Sequence, residues 1–219
     1  LTIDKLKLEQ DGVVHFQDIS FTVNKGDKIA FISRSTMALN QFFKILWGDI
    51  KPSSGEVNWG VTINMGFLPN DNSSYFKEKI NLVDWLRQYS EEKDETFIRG
   101  FLGRMLFSGE ETQKMCDVLS GGEKVRCMLS KIMMENPNVI LFDEPTNHLD
   151  LESIQALNIG LADFAGNIMM HSHDQEVINT IANRVIEITP NGMIDKYMTY
   201  EEYAEDKAVQ ERREDLYKK

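Results

Sequence analysis

The chain has 219 residues, 42% of them hydrophobic, and a formal net charge of −11. That length fits one large domain or a core with a subdomain, and the apolar share is enough for a packed interior. The charge argues against strong nucleic-acid binding by bulk electrostatics, and apolar runs of about five residues fall far short of the ~20 that cross a bilayer.

Leu1, Ile3, Leu6 and Leu8 alternate with polar residues and predict a half-buried strand. The run "ISFTV" (Ile19 to Val23) predicts a second strand, and Ile29 to Ile32 a short buried one after the turn at Asn24 to Asp27. A polar loop follows, then a helix from about Leu39 carrying Phe42, Phe43 and Leu46. Gly48 suits the end of that helix, and "KPSSG" (Lys51 to Gly55) is a turn before the short strands "EVNWG" and "INMGFL". From Asn81 to about Phe107 the period is helical, and a long helix runs from about Gly122 to Glu135. "NVILF" (Asn138 to Phe142) is a continuous apolar strand, the kind buried on both faces of a parallel sheet. Asp150 suits the N-cap of a helix carrying Ile154, Leu157 and Leu161. "NIMMH" and "RVIEI" are strands with a helix between them, and "TPNGM" turns into a last strand. Thr199 and Glu202 have capping-box spacing and open a charged tail helix to Lys219. This order predicts an α/β layered domain with one helical insertion.

The loop before the first helix poses the main question. Strand, loop and helix are the setting of the phosphate-binding loop G-x-x-x-x-G-K-[ST]. On that template Ser33 and Ala38 fall on the two glycines, Leu39 on the lysine and Asn40 on the Ser/Thr. Arg34, Ser35, Thr36 and Met37 lie between, and none of the four defining residues is present.

Four further stretches carry chemistry. In "LSGGEKVR" (Leu119 to Arg126), Ser120, Gly121, Gly122 and Glu123 open the long helix. Backbone N–H groups there point outward, and the helix dipole favours an anion. Asp143 and Glu144 emerge from the C-terminal end of a buried strand, where ligands of open α/β sheets bind. An Asp there can hold Mg²⁺, and the adjacent Glu can deprotonate an attacking water. His173, after the next strand, can reach a γ-phosphate. The His171-x-His173 pair also has metal-ligand spacing, but no nearby Cys or third His backs zinc. Asn70, in "FLPNDN", ends a strand and can sense Mg²⁺ or water through its amide.

Taken in order, these motifs resemble an ATP-binding cassette domain across nearly the whole chain. The resemblance implies a P-loop NTPase-like α/β fold with an antiparallel β subdomain and an inserted helical subdomain. It implies a cassette over residues 1–198, the helical insert over about 72–136, and a helical extension over 199–219. It also assigns roles: "LSGGE" as the signature, Asp143 and Glu144 as the Walker B metal ligand and catalytic base, Asn70 as the Q-loop, Asp150 as the D-loop and His173 as the switch histidine. ATP and Mg²⁺ are the implied cofactors. "EPTNHLD" is similar to the soluble F subfamily, whose members carry two cassettes in one chain and act on ribosomes. The resemblance therefore implies a cytoplasmic ATPase with a second cassette and the ribosome as partners, and no membrane partner. Transporter cassettes commonly have Ser-Ala where this chain has Asn147-His148. Cys116 and Cys127 suit a reduced compartment, and the strand already under way at Leu1 reads as a piece of a longer protein.

Three departures from the family pattern point the same way. The loop lacks its lysine and glycines, the Q-loop position is Asn70, and no aromatic stands near Leu8 to Asp11 to stack on adenine. Cassettes of this family work as face-to-face pairs, each ATP lying between the loop of one and the signature of the other. The expectation is an asymmetric pair, with this chain's signature closing on the partner's ATP while its own loop binds nucleotide weakly.

Overall fold

The computed structural model describes residues 1–69, 71–144, 151–162 and 164–218. The chain forms two compact units, residues 1–63 with 166–219, and residues 64–165.

The first unit opens with β1 (Thr2–Gln10), β2 (Val13–Thr22), β3 (Lys28–Ile32), α1 (Thr36–Trp47) and β4 (Ser54–Asn58). Strands β2, β1 and β4 form an antiparallel sheet in that order. Ile3, Leu6 and Leu8 are all buried. The step of three between Ile3 and Leu6 breaks strict alternation, and a register shift with Lys5 at φ 46° restores both side chains to one face. Strand β2 starts earlier than its apolar run suggests, because Val13 to Phe16 pair with Leu8 to Gln10 across the turn.

The second unit contains β5 (Met65–Leu68), α2 (Leu82–Arg87), α3 (Glu95–Arg104), α4 (Gly121–Met134), β6 (Val139–Asp143) and α5 (Leu151–Ala162). Here β5 and β6 pair in parallel from Met65/Val139 to Leu68/Phe142. The helical stretch expected over Asn81 to Phe107 divides into α2 and α3, each with its own cap. Asn81 Oδ1 accepts from the Asp84 amide at 2.9 Å, and Asp94 Oδ2 from the Phe97 amide at 3.0 Å.

The chain then returns to the first unit with β7 (Asn167–His171), α6 (Gln175–Ile181), β8 (Arg184–Thr189), β9 (Gly192–Lys196), α7 (Tyr200–Glu205) and α8 (Lys207–Tyr217). Strand β3 pairs in parallel with β7 on one side and β8 on the other, and β9 closes antiparallel on β8. Arg184, 3% exposed, ties this layer to β2. Its guanidinium donates to Asp27 at 2.6 Å, to the Thr22 carbonyl at 2.9 Å and to Asp195 at 2.8 Å. Burial alone would lower its pKa, but the two carboxylates overrule that and hold it above the ordinary arginine value.

The tail helix expected from Thr199 to Lys219 is broken at Asp206. The capping box of Thr199 and Glu202 is present and opens α7. Asp206 then adopts an extended backbone and caps α8, accepting from the Ala208 and Val209 amides. Both helices pack on the first unit, where Tyr203, Val209 and Leu216 join Val185 and Ile194 in one apolar cluster. Glu187 of β8, 2% exposed, accepts from the Tyr203 hydroxyl and from Arg213 Nε, both at 2.7 Å.

Candidate functional site

The first unit carries residues 33–40 and His173. The loop is shorter than its sequence suggests, because α1 starts at Thr36 rather than near Leu39. Ser35 is the reason: its extended backbone and free hydroxyl make it an N-cap, with Oγ accepting from the Ala38 amide at 3.2 Å. Without glycines, no residue from 33 to 40 takes a positive φ. Four amides of the segment already have acceptors within the chain. The Arg34 amide donates to the Tyr217 hydroxyl at 2.9 Å, and the Ser35 amide to Ser33 Oγ at 3.2 Å. The Ala38 amide donates to Ser35 Oγ, and the Leu39 amide to the Ser35 carbonyl at 3.3 Å. Leu39 and Ala38 are buried at 2% and 1% exposure, so the lysine position points into the core. Thr36 and Met37 are exposed, and Asn40 is half-buried, with no hydrogen-bond partner to Oδ1 among the described residues.

Ser33, Leu39, His171, Ser172 and His173 line one cavity of about 190 Å³. His173 is exposed, and its ring lies 5.4 Å from that of His171. His171 is 1% exposed, with its ring 6.3 Å from Phe43. His173 therefore lies beside the start of the 33–40 segment.

A second cavity, of about 510 Å³, lies by the β1–β2 turn and is lined by Val13, His15, Ser35, Asn191 and Tyr217 among others. Tyr217 and its neighbour Glu214 were missed by sequence reading, which treated the tail as a charged extension. The available signal was the apolar spacing of Val209 and Leu216, which turns one face of α8 toward the sheet.

The second unit carries Ser120 to Glu123 and the Asp143–Glu144 pair. Ser120 caps α4 and forms a full capping box with Glu123: Ser120 N–H donates to Glu123 Oε2 at 2.9 Å, and Glu123 N–H to Ser120 Oγ at 3.2 Å. Lys114 Nζ donates to Glu123 Oε1 at 2.5 Å. Burial alone would raise the Glu123 carboxyl, but the Lys114 and Ser120 hydrogen bonds overrule it and hold the pKa below the ordinary glutamate value. Ser120 and Gly121 are exposed while Gly122 is buried, so the cap faces outward on a fixed helix. Asp143 ends β6 half-buried. Glu144 is 5% exposed and adopts φ 53°, a left-handed conformation that costs a non-glycine residue about 1–3 kcal/mol. Asn70 and Asp150 lie outside the described residues.

Residues 16–147 match the family model described as "ABC transporter". The chain is 53% identical over 219 residues to the uncharacterized ABC transporter ATP-binding protein YkpA of Bacillus subtilis, covering 99% of this chain and 41% of YkpA. It is 37% identical over 211 residues to the ATP-binding protein YbiT of Escherichia coli O157:H7, covering 96% of this chain and 40% of YbiT. The chain therefore spans about two fifths of the length of these curated relatives. Among solved structures, one described as a metal-chelate type ABC transporter in an inward-facing conformation superposes with a TM-score of 0.69 at 20% identity, over 90% of this chain and 82% of that one. At that identity the likeness establishes the α/β cassette fold alone.

Proposed function

Because the chain belongs to the ABC transporter family, we propose that it is one cassette of a two-cassette ATPase of the F subfamily, acting in translation, with its signature closing on ATP held by the other cassette. The carrying observation is a contrast within the chain. The signature forms a capped, outward-facing helix start at Ser120 and Gly121, whereas residues 33–40 are closed on themselves. In the signature, Gly121 and the N-terminal amides of α4 bring donors and a positive dipole end toward a partner's phosphates. The Glu123–Lys114 pair fixes the cap without spending the exposed face.

Residues 33–40 as folded do not fit a Mg·triphosphate. The amides of Arg34, Ser35, Ala38 and Leu39 have other acceptors, and the lysine position is a buried leucine. A charge-assisted hydrogen bond is worth about 1.5–3 kcal/mol, so losing the lysine alone costs tens- to hundredfold in affinity. Were nucleotide to bind there, His173, which lines the same cavity as Ser33 and Leu39, would meet the γ-phosphate.

The F-subfamily reading rests on "EPTNHLD" and on length, since more than half of YkpA and of YbiT lies outside the match and leaves room for a second cassette. Among the described residues no helix is long and apolar enough to cross a membrane. Titrating the chain with Mg·ATP tests the reading of its own slot: millimolar or weaker affinity is expected, and micromolar affinity contradicts it. The name borne by YkpA favours a second reading, a transporter cassette docked on membrane helices. Co-purification of the complete protein with a membrane subunit would select it, and with ribosomes the first.

A further inference from the structure

We propose that the start of the 33–40 segment is a docking site for the chain's own C-terminal helix, and that this helix and a nucleotide polyphosphate are mutually exclusive occupants of the slot. The inference rests on the reading that residues 33–40 occupy the nucleotide slot, and goes beyond it by naming what fills one end.

Three contacts converge on Arg34. Its backbone N–H donates to the Tyr217 hydroxyl at 2.9 Å. Its guanidinium pairs with the Glu214 carboxylate and lies 4.4 Å from the centre of the Tyr217 ring. Arg34 is the only cationic residue between Ser33 and Asn40, so the helix takes up the segment's whole positive charge. The same Tyr217 hydroxyl lies 3.4 Å from Ser33 Oγ and donates to the Ile188 carbonyl at 3.3 Å. One phenol thus joins the end of β3, the loop and β8.

The helix itself is firmly seated. Leu216 and Val209 are buried in the cluster on β8 and β9, and Asn191 Nδ2 donates to the Leu216 carbonyl at 3.1 Å and the Lys218 carbonyl at 2.8 Å. Arg213 anchors the preceding turn on buried Glu187. The contact with the loop is therefore made by the last turn of a helix whose other turns are fixed independently.

Exclusion follows from charge. A polyphosphate needs Arg34 as its counter-ion, but that guanidinium already faces Glu214, whose carboxylate would repel the incoming anion. The exposed ion pair is individually weak; the amide-to-phenol bond gives the contact its geometry. Freeing the slot requires the last turn of α8 to move, with Leu216 leaving the cluster and Asn191 releasing the Leu216 and Lys218 carbonyls, while Val209 and Arg213 hold the turns before it.

The test uses the whole chain with Tyr217→Phe, Glu214→Gln and the double variant, in two measurements. Hydrogen exchange at the Arg34 amide is expected to speed up about tenfold or more in Tyr217→Phe, with α7 and the Tyr203 region unchanged, which also shows that the variant is folded. Displacement of a fluorescent ATP analogue by inorganic tripolyphosphate is expected to show at least about fivefold tighter binding in the double variant than in the wild type. Unchanged exchange at Arg34 overturns the docking, and faster exchange without tighter polyphosphate binding overturns the exclusion. Tight binding by the wild type itself would instead contradict the reading of a weakened slot, so the two failures are distinguishable.

Discussion

Leu39 donates its backbone N–H to the carbonyl of Ser35 at 3.3 Å, which places the residue in the lysine position inside the first turn of α1. Its side chain is 2% exposed. Leu39→Lys therefore buries a charge rather than extending it toward a phosphate. Chemical denaturation should show a loss of about 3 kcal/mol, and Mg·ATP affinity should stay weak. A stable variant with micromolar affinity would mean that the segment can reopen into a phosphate cradle.

The signature cap has a pH dependence that can be worked out. The folded pKa of Glu123 lies below its ordinary value of 4.5. The stability it contributes is therefore complete above about that value and is lost as pH falls through the lowered folded pKa. Glu123→Gln should destabilise by about 1 kcal/mol near pH 7. The Tm gap between variant and wild type should close on acidification, and a gap independent of pH would contradict the ionised cap.

The two thiols make a simpler case. Burial pushes the Cys116 thiol up from 9.0 to about 11, and raises Cys127 as well. Both are buried and unoxidised. Neither should react with an aromatic disulfide reagent at pH 8 in the native chain, and both should react in denaturant. Between pH 9.0 and about 11 the unfolded chain ionises Cys116 first, so stability should fall as pH rises through that window.

Glu187 tests how the tail is held. Arg213→Ala removes the cationic donor and leaves a buried carboxylate with the Tyr203 hydroxyl. The expected cost is about 3 kcal/mol, at the low end for breaking a buried pair because the phenol still donates. An unfolding midpoint equal to the wild type's would show that α8 is not anchored through this residue.

The elements with strong periods were legible in the sequence. The runs at Val139 to Phe142 and Ile168 to Met170 are strands because continuous apolar stretches are buried on both faces, and α4 begins at the Ser120 cap. Residue type and order place Ser120 at a helix start, Asp143 at the end of a buried strand and His173 after the next strand, and the structure has them there. What was not legible came from contacts distant in sequence. Ser35 reads as an ordinary loop serine until its capping bond to Ala38 is seen, and that bond moves the helix start by one turn. Tyr217 and Glu214 lie more than 175 residues from Arg34, and no local pattern links them. Asp206 has the composition of a helix-surface residue, yet it ends α7 by capping α8.

On the proposed reading, this cassette contributes its signature in trans while its own carboxylate stands idle. The most direct measurement is steady-state ATP turnover of the complete protein carrying either Ser120→Arg or Glu144→Gln. The account predicts that Ser120→Arg lowers turnover at least about a hundredfold, as removal of transition-state donors does, while Glu144→Gln leaves it near the wild-type rate. Turnover abolished by Glu144→Gln and spared by Ser120→Arg would contradict it.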